Sequence, residues 1–98
     1  MNSQAPVVLN NPAQQRYELR SGEAVLGIAN YRQDGGDTLV FTHTEVDPQK
    51  EGHGYGSQLA RGALDDVRDS SRKVIASCEF IARYINEHPE YRDLLKQA

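Results

Sequence analysis

The sequence has too few cysteines to hold a fold together through disulfides or a thiolate-bound metal. It has a single cysteine, Cys78, among 98 residues, which excludes an intrachain disulfide and any site built from several thiolates. We therefore expect a fold that rests on packing alone, with no metal. A chain of this length can form one hydrophobic core and is too short for two, so the sequence predicts a single domain.

Long apolar runs and an excess of positive charge are also missing. No segment approaches the ~20 consecutive apolar residues that a membrane helix needs. The start of the chain has no basic residues, and its apolar run is only Val7, Val8 and Leu9, unlike a secretory signal. The net charge of −3 and the absence of a Lys/Arg stripe disfavour nucleic acid as a partner. These absences predict a cytoplasmic protein that binds neither membrane nor nucleic acid.

The first half of the chain predicts strands. Residues 1–15 are rich in Asn, Gln, Pro and Ala without a period, which predicts a flexible leader before a domain spanning residues 16–98. From Arg16 onwards apolar and polar residues alternate, and we expect an edge strand there. Two further strands, at residues 23–32 and 38–46, flank an Asp-Gly-Gly-Asp turn and complete a three-stranded antiparallel meander.

The second half predicts helices around one further strand. Apolar residues recur at helical spacing from about Tyr55 to Asp69, and the run at residues 73–78 suits a buried strand. The predicted order of elements is a strand, a glycine turn, a helix and a second strand. This order is the crossover unit that joins two parallel strands. A C-terminal helix is expected over about residues 80–87, with a break at Pro89. The predicted fold is α+β, with an antiparallel meander leading into a crossover and a C-terminal helix.

The turn between the third predicted strand and the first helix contains three alternating glycines, Gly52, Gly54 and Gly56. Glycine allows positive φ and close backbone approach, so successive N–H groups can converge on an anion at the helix start. A pyrophosphate would suit such a site, and a glycine-rich connection without a ligand is the alternative. The turn has neither the Gly-Lys-[Ser/Thr] ending of a P-loop nor the G-x-G-x-x-G of a dinucleotide-binding fold.

The spacing Gln49-x-x-Gly52-x-Gly54 resembles the Q/R-x-x-G-x-G/A signature of the GNAT superfamily, the acyl-CoA-dependent N-acyltransferases. Residues 41–46 and 80–91 are similar to the minimal, single-domain branch of that superfamily, and the resemblance extends over residues 16–95. It implies a GNAT-like fold, acetyl-CoA as co-substrate and an unidentified amine acceptor, either a small molecule or a protein. The resemblance does not extend to the two N-terminal helices that help to form the acceptor site in longer members.

The resemblance also implies which residues bind acetyl-CoA. Backbone groups of the strand end would meet the pantetheine amides, the three glycines would face the pyrophosphate, and Lys50 or His53 could add charge to the phosphates or be merely solvated. The expected contact residues are Thr44, Glu45, Val46, Gln49, Lys50, Glu51, Gly52, His53, Gly54, Tyr55, Gly56 and Ser57.

Acetyl transfer to an amine requires a neutral amine, a stabilised oxyanion and a proton for the departing thiolate. His43 and Glu45 share a strand face, so either could take the amine proton, or they could form a sheet hydrogen bond and a solvated strand end. By resemblance Tyr84 would protonate the CoA sulfur, although it also belongs to an apolar stripe. Cys78, just before a helix start, could accept the acetyl group covalently or be a buried small residue.

Three functions are consistent with these observations. The first is an acetyl-CoA-dependent N-acetyltransferase, with direct attack by the amine as its default mechanism. The second is a non-catalytic CoA-binding or interaction module, and the third is an α+β domain that binds no ligand.

Overall fold

The computed structural model describes residues 5–47 and 54–96. Five strands form one mixed sheet in which each strand lies beside its neighbour in sequence. The elements are, in chain order, β1 (Val7–Asn11), β2 (Arg16–Ser21), β3 (Ala24–Asp34), β4 (Thr38–Val46), α1 (Tyr55–Asp69), β5 (Lys73–Ala76), α2 (Glu79–Glu87) and a 3₁₀ helix (Pro89–Leu94).

The antiparallel meander has four strands, one more than expected. β1 pairs with β2 along its whole length, from Val7–Arg20 to Asn11–Arg16. The prediction of a flexible leader up to residue 15 is therefore wrong for Val7–Asn11, and β2 is an inner strand with β1 at the edge. The sequence around β1 has no strand-like alternation of polar and apolar residues. Val7 and Leu9 are exposed although they are apolar, and Val8 between them is the residue that packs against the core.

The predicted crossover is confirmed. β4 and β5 pair in parallel, from Thr38–Lys73 to Phe41–Ala76, with α1 between them in sequence. β5 ends at Ala76, two residues earlier than expected, and Cys78 is the residue that precedes α2. The C-terminal helix is also present, and the 3₁₀ helix that follows it begins at Pro89, where a break was expected.

Both helices pack on one face of the sheet. The Tyr17 hydroxyl of β2 donates to Asp66 of α1 at 2.6 Å, and the Tyr91 hydroxyl of the 3₁₀ helix donates to Asp65 at 2.7 Å. Burying this apolar surface is the main favourable contribution to folding. The fully buried core residues with less than 1% exposure include Leu19, Leu39, Phe41, Leu59, Leu64, Val67, Val74 and Ile81.

Gly62 lies in the middle of α1, where β1 approaches the helix. A Cβ atom at this position would lie 2.4 Å from Cγ2 of Val8, which is much closer than two non-bonded carbon atoms can approach. A glycine inside a helix costs roughly 1 kcal/mol relative to alanine. The close approach of β1 explains why α1 contains a glycine at this position.

Within residues 5–47 and 54–96, no helix has the length and apolar character needed to cross a membrane. The same residues contain no group of three or more His, Cys, Asp or Glu side chains placed to hold a metal ion.

Candidate functional site

β4 and β5 stop pairing part-way along β4. Their last register pair is Phe41–Ala76, whereas β4 continues to Val46. At the same point the register between β3 and β4 steps from Tyr31–Phe41 to Asn30–His43, which leaves Thr42 as the extra residue of a β-bulge. Bulges bend a strand and increase its twist. The second half of β4 therefore has no pairing with β5.

Thr44 and Cys78 meet beside this unpaired part of β4. Thr44 Oγ1 lies 3.2 Å from Cys78 Sγ, and either atom could be the donor. Cys78 is only 7% exposed, has an extended backbone and does not cap α2 with its side chain. A thiol with a hydroxyl partner beside a helix N-terminus has the groups needed to act as a nucleophile or to exchange a proton.

His43 and Glu45 lie on the opposite face of β4 from Thr44, because successive strand residues point to opposite sides. His43 Nε2 is 3.8 Å from Glu45 Oε1, and the two side chains are 58% and 67% exposed. Such an exposed pair contributes little to stability. The two predicted base candidates are thus neighbours, as expected, but they do not share a strand face with the Thr44–Cys78 contact.

Tyr84 is packed towards the C-terminal end of α2. Its ring stacks on His88 with a centroid distance of 3.9 Å and lies 6.0 Å from the ring of Tyr91. Burial raises the pKa of Tyr84, and the nearby Arg61 opposes this shift. Tyr84 lies six positions after Cys78 in the sequence, which corresponds to about 9 Å along a helix axis. Protonation of the CoA sulfur by Tyr84 therefore stays a prediction.

Part of the predicted glycine turn, from Gln49 to His53, lies outside the described residues. Gly54 precedes α1 with a φ of 72°, a conformation that favours glycine. Its carbonyl oxygen accepts the first bond of the helix, from the N–H of Gln58. Among the residues that the structure describes, no side chain caps α1, and the first turn of the helix contains no acidic residue. The N–H groups at the start of a helix can bind an anion when no side chain satisfies them.

Gly56 has a packing role that the spacing of the glycines did not reveal. A Cβ atom at Gly56 would lie 2.8 Å from Cζ of Phe80, so the glycine lets α1 begin against α2. Of the other predicted contact residues, Tyr55 is half-buried and Ser57 is exposed. Val46 packs over Gly27. A Cβ atom added to Gly27 would lie 3.3 Å from Cγ2 of Val46.

A groove of about 410 Å³ lies at the end of β3 and β4. It is lined by Arg16 of β2, residues 25–28 of β3 and residues 45–47, with no contribution from the described parts of the helices. Arg16 is not among the site residues expected from the sequence. Its position near Glu45 depends on the register of three strands, for which the sequence has no local signal.

Arg16 belongs to a charged cluster centred on Glu18. Glu18 is 3% exposed and accepts hydrogen bonds from Asn11 Nδ2 at 3.0 Å, Arg16 Nε at 2.8 Å and an Arg20 terminal nitrogen at 3.2 Å. The bonds from Asn11 and then Arg16 hold the pKa of Glu18 below its usual range. Two guanidinium groups around one carboxylate leave one positive charge in excess.

The comparisons with known proteins agree with this fold. A family profile described as GCN5-related N-acetyl-transferase matches residues 16–94. The chain is similar to Protein NATD1 of Xenopus tropicalis, with 34% identity over 59 residues that cover 60% of this chain and 54% of the relative. Protein NATD1 of Homo sapiens is also 34% identical over 59 residues, covering 60% and 52%. The chain thus spans about half the length of the curated relatives it matches.

Among solved structures, the solution structure of a GCN5-like protein from Staphylococcus aureus matches with a TM-score of 0.71 at 20% identity. The match covers 100% of this chain and 93% of that chain, and it shows a common fold. Since the family profile covers most of the sequence, the chain belongs to the GCN5-related N-acetyltransferases of the GNAT superfamily.

Proposed function

We propose that this protein is an acetyl-CoA-dependent N-acetyltransferase that transfers an acetyl group from acetyl-CoA to an amine. The observation that carries this proposal is the 3.2 Å contact between Thr44 and Cys78, at the place where β4 leaves β5. This contact puts a hydroxyl and a thiol, two groups that can exchange protons or attack a carbonyl carbon, beside the start of α2. The proposed domain comprises residues 16–98 together with β1.

The described residues fit acetyl-CoA in two places. The first turn of α1, which follows Gly54 and has no side-chain cap among the described residues, would hold the pyrophosphate. Beyond Phe41 the backbone of β4 is no longer paired with β5, so residues 44–46 could hydrogen-bond the pantetheine amides. The expected contacts of residues 49–53 belong to the same proposal.

Acetyl-CoA supplies the activated acetyl group. In direct attack, His43 or Glu45 would take a proton from the amine as its nitrogen bonds to the acetyl carbon. Cys78 or Tyr84 would deliver a proton to the departing sulfur when its bond to that carbon breaks. The amine and thioester thereby become an amide and a thiol with no net change in protons.

A second candidate route passes through Cys78, and its contact with Thr44 favours it because a bonded thiol has a defined orientation. The Cys78 sulfur would take the acetyl group while its proton goes to the CoA sulfur. The amine would then take the acetyl group from Cys78, and an amine proton would restore the thiol.

Titration with acetyl-CoA, followed by amide NMR shifts, tests the binding part of the proposal. Saturable shifts of Thr44, Gly54 and Gly56 are expected, together with release of CoA thiol when amines are added. Shifts without thiol release across a broad amine panel would identify a non-catalytic CoA-binding module. Unmoved signals would overturn acetyl-CoA binding itself.

Intact mass spectrometry separates the two routes. If the acetyl group passes through Cys78, treatment with acetyl-CoA adds one acetyl group to the protein, and Cys78→Ala abolishes the addition. An adduct that persists in Cys78→Ala would assign the acetyl group to another residue. Turnover by Cys78→Ala at the wild-type rate would establish direct attack.

A further inference from the structure

We propose that the groove at the end of β3 and β4 binds the acetyl acceptor, and that this acceptor is an aliphatic amine that also carries a carboxylate. The inference rests on the proposed acetyltransferase function and names the substrate class of that site. It follows from the register of the strands, the charges around the groove and the place of the groove on β4.

The groove shares its sheet face with the two base candidates. Arg16, Asn30 and His43 are register partners across β2, β3 and β4, and Ile28 and Glu45 form part of the next row on the same face. Register partners point to the same side of a sheet, and so do residues two apart in one strand. An amine in the groove would therefore have both His43 and Glu45 on its own side of the sheet.

The groove carries opposite charges at its two sides. Arg16 lines one side, and Glu45 and Asp47 line the other. Arg16 lies two strands away from His43 in the same row of register partners, and Glu45 is two residues beyond His43 in β4. The Cα atoms of Arg16 and Glu45 are therefore about 12 Å apart. Val25 and Ile28 of β3, the strand between β2 and β4, contribute apolar surface to the groove. An ammonium group near Glu45 and a carboxylate at Arg16, joined by a short aliphatic chain, complement this arrangement.

Arg16 can bind a carboxylate without releasing Glu18. Its Nε donates to Glu18 at 2.8 Å, and its two terminal nitrogens carry four further N–H donors. The Arg16 side chain is 30% exposed, whereas that of Glu18 is 4% exposed. Because the cluster with Arg20 has one positive charge in excess, a second carboxylate would balance it.

The groove also lies close to the proposed reaction site. Glu45 follows Thr44 directly in β4, so the groove and the Thr44–Cys78 contact lie on the two faces of one strand segment. β5 ends at Ala76, and its pairing with β4 does not reach this segment. An amine held at Glu45 would therefore reach the Thr44–Cys78 side around the edge of β4 that is not paired with β5.

The test uses the full chain with acetyl-CoA and three sets of amines: ω-amino carboxylic acids of increasing length, their methyl esters and plain alkylamines. The esters keep the ammonium group and lose the negative charge. We expect the KM of the best acid to be at least tenfold lower than that of its ester. Equal KM values for acid and ester would overturn the proposal.

Two variants separate the groove from the stability of the Glu18 cluster. Arg16→Met and Arg20→Met each remove one partner of Glu18, but only Arg16 lines the groove. We expect Arg16→Met to raise the KM of the acid to that of its ester, while Arg20→Met retains the preference for the acid. The same loss of preference in both variants would contradict a role for Arg16 in binding.

Amide shifts measured without acetyl-CoA distinguish failure of this inference from failure of the proposed function. The preferred acid should shift the signals of Gly27, Ile28 and Asp47 saturably. Shifts without acetylation of any amine would overturn the acetyltransferase function and the acceptor assignment with it. Acetylation without these shifts and without a preference for the acid would overturn the acceptor assignment alone.

Discussion

Thr44 Oγ1 and Cys78 Sγ lie 3.2 Å apart, although 34 residues separate them in the chain. They meet because β4 and β5 pair in parallel up to Phe41 and Ala76, just before each of the two residues. The contact links the unpaired end of β4 to the start of α2. If Thr44 orients the Cys78 sulfur, changing one residue should alter the effect of changing the other.

Thr44→Val removes the hydroxyl and keeps the shape of the side chain. We expect kcat for acetyl transfer to fall about three- to tenfold, because a hydrogen bond contributes roughly 0.5–1.5 kcal/mol. Steady-state kinetics measures this loss. Thr44→Ser retains the hydroxyl and should keep most of the activity.

The double variant Thr44→Val/Cys78→Ala shows whether the effect operates through the sulfur. In the absence of the thiol, Thr44→Val should cause no further loss of kcat, because coupled residues are not additive. An equal loss in both backgrounds would mean that Thr44 acts independently of Cys78.

Gly62→Ala tests the docking of β1 on α1. Alanine favours the helix by roughly 1 kcal/mol, but its Cβ would lie 2.4 Å from Cγ2 of Val8, whose β-branched side chain has little freedom to move. We expect a net loss of about 1–2 kcal/mol in the free energy of unfolding, measured by urea denaturation. Adding Val8→Ala should recover part of the loss, and stabilisation by Gly62→Ala alone would contradict the observed packing.

Tyr17→Phe should destabilise the protein by about 1–2 kcal/mol, because it removes a buried hydroxyl that donates to a carboxylate. Burial and then the bond to Asp66 raise the pKa of Tyr17 well above its ordinary value of 10. The stabilising contribution is therefore complete below pH 10 and is lost as the pH rises further. Urea denaturation between pH 8 and about 11 should show a shallower alkaline decline for Tyr17→Phe than for wild type.

Tyr91 provides the comparison for this alkaline effect. Burial and the bond to Asp65 raise its pKa in the same direction, so Tyr91→Phe should flatten the decline further when combined with Tyr17→Phe. An alkaline slope that neither variant changes would show that the two tyrosines do not cause it.

Glu18→Gln should lower stability at pH 7 by about 1–3 kcal/mol, because two guanidinium groups lose their charged partner. The pKa of Glu18 is lowered from 4.5 in the folded protein. Its contribution is therefore present above pH 4.5 and is lost as the pH falls through the folded-state value. Urea midpoints between pH 7 and about 3 should fall less steeply for Glu18→Gln than for wild type, whereas exposed Glu23→Gln should match wild type.

Elements with local signals were predictable from the amino-acid sequence. The bounds of α1, the β4 strand and the new turn at Pro89 agree with the expected ones, because helical periodicity, strand alternation and proline geometry act over a few residues. The parallel crossover followed from the order of these elements. β1 was missed because an edge strand with one inward apolar residue has almost no periodic signal.

Contacts between distant residues were not predictable from the sequence, because they form only when the whole chain packs together. The helical packing of Gly56 and Gly62 against Phe80 and Val8 depends on the distances between elements, which no local pattern encodes. The contact of Thr44 with Cys78 likewise depends on where the pairing of β4 and β5 ends. The groove beside Arg16 depends on the register of three strands, and register is set by packing and turn geometry across the whole sheet.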